Sequence, residues 1–157
     1  MRLAGIDCGS LSTGYGIIDE EGSSLVLVDY GTVRLPSETP FPDRIGIVFD
    51  KLNSLWREFK PDIVGVEDIF VSKNPKSALK LGQIRGAAIS SAHLNGIRIK
   101  EFAPTLIKSC LTGNGRAEKG QVAFMVCTIL GLSSRPKSLD ASDALAIAIT
   151  TALRKGF

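Results

Sequence analysis

Residues 2–19, RLAGIDCGSLSTGYGIID, decide the reading of the fold. Residues 2–7 are a short apolar run that ends on an acid, Asp7, and Cys8-Gly9-Ser10 break it before residues 14–19 resume as a second strand. Glu20-Glu21-Gly22-Ser23 is a turn signal, and residues 25–35 read as a third strand. Three consecutive strands joined by short turns predict an antiparallel meander, ended by the breaker segment 36–42. From Ile45 the period changes. Ile45, Val48, Phe49, Leu52, Leu55, Trp56 and Phe59 form a 3.6-residue stripe, which predicts an amphipathic helix stopped by Pro61, with Trp56 in the core. Ile63-Val64-Gly65-Val66 is the continuous apolar run of a strand covered on both faces, and it ends on Glu67.

Residues 76–94 read as a second helix, in which Ala78, Gly82, Gly86 and Ser90 recur every four positions. Interior glycines are tolerated best where another backbone approaches closely, here either the sheet or a second subunit. Residues 97–102 read as a last strand, Pro104 opens a helix at its first turn, and residues 121–130 and 141–153 read as two more helices. The order predicts an α/β fold: a mixed five-stranded sheet, a meander plus parallel strands, with helices on both faces. The strand at 63–66 then runs parallel to the first, so Asp7 and Glu67 end at the same end of neighbouring strands. At 157 residues, the chain is expected to form one domain over 1–157.

Composition narrows the function classes. An apolar fraction of 44% excludes intrinsic disorder for most of the length. Lys and Arg total 19 against 16 Asp and Glu, a formal charge of +3 that permits nucleic acid without pointing to it. No stretch approaches the ~20 apolar residues of a membrane span or resembles a secretory signal. Cys8, Cys110 and Cys127 lack CxxC spacing, which argues against a disulfide framework and a zinc site. The cytoplasm is the expected compartment.

The carboxylates carry the chemistry. Asp7 emerges where a strand gives way to flexible backbone, which also suits a turn Asp bonding its own chain. Glu67 has less structural excuse, because Glu is a poor strand and turn residue and Asp68 crowds it. Asp140 and Asp143, at i and i+3, share a face at the start of the last helix, where the helix dipole also favours acids and Asp140 can serve as N-cap. Brought together without Arg or His, the four repel one another unless cations intervene. Such a set suits hard cations, Mg²⁺ or Mn²⁺, and two ions can drive phosphodiester hydrolysis.

Four segments in this order, GIDCGSLSTGYGII (5–18), VEDIFVSKNPKSALKLGQIRGAA (66–88), GNGRAEKGQV (113–122) and LDASDALAIAI (139–149), resemble the RuvC Holliday-junction endonucleases of the ribonuclease H-like superfamily. The resemblance implies that Asp7, Glu67, Asp140 and Asp143 are the catalytic, metal-binding acids. It implies Mg²⁺, with Mn²⁺ able to substitute and two ions per site. A homodimer is implied that nicks a four-way DNA junction symmetrically, working with a branch-migration motor and no membrane. Lys108 and Lys119 match basic residues near the cut, and Phe70 matches an aromatic that stacks on an unpaired base at the crossover. Lys73, Lys76, Lys80, Arg85 and Arg116 are further candidates for DNA phosphate contacts. With four of the 16 acids assigned to metal, the remaining 12 face 19 basic residues, so the weak net charge conceals a basic surround.

Two departures stand out. Cys8 replaces the proline common after the first acid, putting an oxidisable thiol beside the site. The last acidic position is Asp143 where some relatives have His, and the lone His93 is expected to be structural. Three other readings compete. Actin-like and sugar-kinase ATPases also begin with a strand, an acid and a Gly-Ser loop, but they need a second lobe that 157 residues cannot hold, and GNGRAEKG lacks the Ser or Thr of a Walker A loop. A catalytically silent junction-binding protein has no use for clustered uncompensated acids. A ribonuclease H-like nuclease with another nucleic-acid substrate is separated only by substrate choice.

Overall fold

Two blocks of strands meet at β1 (Arg2–Asp7) in the computed structural model, which describes residues 1–68 and 74–156. On one side, β2 (Ser12–Glu21) and β3 (Ser24–Arg34) complete the antiparallel meander, turning through Gly22 at φ 62°. On the other, β4 (Ile63–Glu67) and β5 (Arg98–Phe102) add parallel strands, giving the order β3-β2-β1-β4-β5. The expected mixed sheet is therefore observed, with β4 parallel to β1.

The crossover helices are α1 (Phe41–Phe59) and α2 (Pro75–Leu94), followed after β5 by α3 (Pro104–Thr112), α4 (Lys119–Leu130) and α5 (Leu139–Leu153). Helix α1 starts four residues before Ile45, because Pro42 sits in its first turn, where a missing N–H costs nothing. Helix α4 starts at Lys119 through a capping box between Glu118 and Gln121. The N-cap of α5 is Ser138, whose hydroxyl accepts from the Ala141 N–H at 3.4 Å, so Asp140 lies inside the first turn and is not the cap.

Side-chain alternation divides the core into two layers. Ala4, Ile6, Ile17, Val64 and Val66 face α1 and α2, where buried Trp56 donates its indole N–H to Ser91 Oγ at 2.9 Å. Leu3, Ile18, Ile63 and Phe102 face α3, α4 and α5. Asp7 and Glu67 follow in phase with Leu3 and Ile63, so both carboxylates are delivered to the α5 side.

Helix α5 is buried along nearly its whole length and lies unusually close to the sheet. Gly16, Gly5 and Gly65 pair in register across β2, β1 and β4 and make a bare track beneath it. A Cβ on Gly5 would sit 2.2 Å from the Ala144 carbonyl oxygen, and one on Gly14 would sit 2.0 Å from that of Asp140.

The small-residue ridge of α2 does not pack on the sheet. The buried residues of α2 are Ile84, Ala87, Ala88, Ser91 and Ala92, whereas Gly82, Gly86 and Ser90 are exposed, with open space where Cβ atoms on the two glycines would lie. No helix among the described residues is long and apolar enough to cross a membrane.

Candidate active site

The carboxyl ends of β1 and β4 and the N-terminal half of α5 converge on one cleft. Asp7, Glu67, Asp143, Lys108 and Lys119 line it, on a floor of Ile107, Val122, Ala146 and Ile147, and it encloses about 250 Å³. Asp7 and Glu67 come from adjacent parallel strands. Asp143 reaches them from α5, which the glycine track lowers onto those same strands. Asp140 lies to one side, where the Ser12 hydroxyl donates a hydrogen bond to its Oδ2.

The electrostatics follow from burial and crowding. Burial raises the Asp7 carboxyl first, and the nearby Asp143, Glu67 and Asp140 add to it, pushing its pKa to about 7. Glu67 is raised by burial and then by Asp143, with Lys119 and Lys108 opposing. Lys119 Nζ lies 3.3 Å from Asp143 Oδ2, and this contact raises the ammonium pKa and favours its charged form. Among the described residues no three His, Cys, Asp or Glu side chains are gathered closely enough to hold an ion as they stand. Uncompensated carboxylates spread apart, and here Lys119 occupies one of them and Ser12 another. An all-oxygen acid set at the mouth of a cleft, with its leading carboxyl driven toward neutrality, has the donor chemistry of a Mg²⁺ or Mn²⁺ site.

The other expected site residues are scattered more widely. Lys76 and Arg116 are exposed. Lys80 lies over the Phe41 ring, 5.2 Å from its centre. Arg85 is turned inward: its Nε donates to the Glu67 carbonyl at 3.0 Å, and its guanidinium pairs with Glu101 and lies 3.7 Å from Asp68. That places Arg85 behind the site, bracing the end of β4, rather than at its mouth as expected for a phosphate contact. Phe70 and Lys73 lie outside the described residues.

Cys8 also corrects an expectation. As the residue after Asp7 it points to the opposite face and packs against the α1–α2 core, where burial and the Asp7 charge push its thiol up to about 12. With the thiolate suppressed, oxidation beside the site is disfavoured. His93 is exposed in the last turn of α2. Sequence reasoning missed Ser12, whose only signal was a hydroxyl on the same face as Gly14 and Gly16.

The sequence profile of crossover junction endodeoxyribonuclease RuvC matches residues 3–151. The chain belongs to the RuvC family. A crossover junction endodeoxyribonuclease RuvC from Chlorobium phaeovibrioides is 46% identical over 157 residues, covering 99% of this chain and 83% of the relative. The structure of RuvC from Thermus thermophilus superposes with a TM-score of 0.90 at 32% identity, covering 99% of this chain and 95% of that one. The same enzyme in complex with a Holliday junction substrate also gives 0.90, at 31% identity, with 99% and 97% covered. RuvC membership makes this chain an endonuclease that hydrolyses phosphodiester bonds, with the ribonuclease H-like fold that its sheet order displays.

Proposed function

We propose that this RuvC family member resolves four-way DNA junctions as a homodimer, each subunit nicking one strand through divalent ions held by Asp7, Glu67, Asp140 and Asp143. The observation that carries the reading is the convergence of strand-end and helix-start acids on a cleft that also holds two lysines. Nucleases of this family depend on divalent metal, and the hard-oxygen donor set here favours two Mg²⁺ ions, with Mn²⁺ as a substitute. When bound, the ions supply an activated water and stabilise the leaving oxygen. The chain's own contribution is to hold the ligands on rigid strand ends and one buried helix, and to put Lys119 and Lys108 against the phosphate. With no imidazole lining the cleft, proton transfer falls to water and carboxylate.

Lys76, Lys80 and Arg116 are proposed phosphate contacts, while Arg85 holds β4 in place. The proposed stacking of Phe70 on an unpaired base rests on the family resemblance. The exposed Gly82-Gly86-Ser90 ridge of α2 is the face proposed for the second subunit, since the sheet does not use it. A two-fold dimer presents two equivalent sites to a junction of matching symmetry, which paired incision requires. Residues 1–157 act as one nuclease domain in this reading, in the DNA-containing cytoplasm and with a branch-migration motor as partner.

The test is incubation of the purified protein with an end-labelled four-way junction, with and without Mg²⁺. Paired nicks on strands of like polarity, dependent on the metal, are expected. Binding without nicking in either Mg²⁺ or Mn²⁺ would reduce the protein to a junction binder, and equal cutting of linear duplex or RNA/DNA hybrid would assign another substrate.

Lys119→Ala is expected to slow cleavage by about 10²-fold, the scale of removing one positioned transition-state donor. Its side chain is 74% exposed and its ion pair lies at the surface, so the melting temperature should hold. An unchanged single-turnover rate would return Lys119 to the role of a solvated surface charge.

A further inference from the structure

Asp140 is met at two points by Gly14 and Ser12, which share one face of β2. The first is a close backbone approach. Gly14 opposes Asp7 in the β1–β2 register, and the Asp140 carbonyl oxygen lies so close to it that a Cβ there would come within 2.0 Å. The second is side chain. Ser12 lies two residues before Gly14, so it points to the same side of the sheet, but β1 has ended at Asp7 and leaves it no partner on that edge. Its hydroxyl therefore reaches past the strand end to the first turn of α5 and donates to Asp140 Oδ2. Among the described residues, no other hydrogen-bond donor reaches this carboxylate.

The arrangement has a chemical consequence. A carboxylate in a crowd of carboxylates is driven outward by repulsion, and each freely rotating ligand adds an ordering cost when a cation binds. A hydroxyl donor on one oxygen fixes the rotamer and leaves the second oxygen available. Such partners of ligating carboxylates tune metal sites, and their removal costs 10- to 100-fold in metal affinity.

We propose that Ser12 is a positioning residue that orients Asp140 for divalent-cation binding. The inference rests on the reading of Asp140 as a metal ligand. Ser12 does not touch the scissile phosphate and is not assigned a step in hydrolysis. Its effect passes through Asp140 to the ion.

Thr and Val have the same shape and both suit a strand, and they differ in the hydroxyl, so they isolate its contribution. Mn²⁺ binding to the DNA-free protein, followed by electron paramagnetic resonance, is the direct readout. Ser12→Val is expected to raise the Mn²⁺ dissociation constant by about 10-fold. Ser12→Thr should stay within about threefold of wild type. Both variants should melt with the wild type in EDTA, and the Mg²⁺ concentration needed for half-maximal junction cleavage should shift in parallel with the Mn²⁺ constant.

Equal Mn²⁺ affinity in the Val and Thr variants would overturn the proposal, provided Asp140→Asn weakens binding. Should Asp140→Asn leave Mn²⁺ binding at the wild-type level, the metal-ligand reading itself falls. A drop in melting temperature shared by Val and Thr, with no split between them in Mn²⁺ binding, would assign Ser12 to packing alone.

Discussion

Asp7→Asn is expected to abolish junction nicking while junction binding persists, with a rate loss of at least ~10³-fold, or about 4 kcal/mol on the barrier. The amide keeps the size of the side chain and one carbonyl oxygen, but it removes the charge at the point where β1, β4 and α5 meet. The same substitution separates catalysis from stability. The folded Asp7 carboxyl is raised from an ordinary value of 3.8 to about 7, chiefly by burial. Between those values the native protein holds a proton that the unfolded chain has released, so stability falls as pH rises, by up to about 1.4 kcal/mol per unit for one proton.

Asparagine carries no charge at any pH and removes that slope. In EDTA, Asp7→Asn and wild type should therefore melt together near pH 4, and the variant should outlast the wild type at pH 8. Added Mg²⁺ should stabilise the wild type and leave the variant unmoved, because a ligand stabilises only the state that binds it. Melting curves across this range, with and without Mg²⁺, check both points. A variant that nicks at the wild-type rate, or that loses stability in parallel with the wild type as pH rises, would remove Asp7 from the role proposed for it.

Gly5→Val is expected to damage both the fold and the site. Even the Cβ alone would lie 2.2 Å from the Ala144 carbonyl oxygen and 2.4 Å from the Ala148 nitrogen, both helix backbone atoms that no rotamer change can relieve. Helix α5 must lift, and inserting volume into a closed core costs about 1–3 kcal/mol or more. Because α5 also carries Asp140 and Asp143, lifting it parts those acids from Asp7 and Glu67. Gly5→Val should thus lose both melting temperature and cleavage, even when assayed at a temperature where it remains folded. Gly22→Ala is a useful contrast, since Gly22 sits in the β2–β3 turn, at the opposite end of β2 from Gly14 and the acids, and a Cβ there meets no atom within 4 Å; its cost comes from φ 62° and should be confined to stability. Chemical denaturation together with single-turnover cleavage measures the pair.

Much of this was legible in residue order. The apolar runs ending on Asp7 and Glu67 named two strands and their shared direction, because a helix between parallel strands forces the second to return beside the first. The face on which both acids emerge was not legible, because the apolar runs before them are continuous and carry no alternation; the packed helices on each side decide it. Boundaries were less legible: Pro42 read as a breaker but sits in the first turn of α1, and Ser138 rather than Asp140 caps α5, because capping depends on local backbone angles that residue type only biases. The inward turn of Arg85 was invisible for the same reason. A cation in a basic stretch reads as surface until its neighbours, here the Glu67 carbonyl and Glu101, are known.

What the sequence determined by itself was the set of elements and the class of sheet, encoded in spacing along the chain, and four candidate acids, which the family resemblance singles out. How closely those acids meet was decided only by the tertiary structure. The distance between α5 and the sheet depends on Gly16, Gly5 and Gly65 falling in register across three strands, and the tether on Asp140 depends on Ser12 overrunning the end of β1. Register and helix height are properties of packed backbones far apart in the chain. No local pattern of residues carries them.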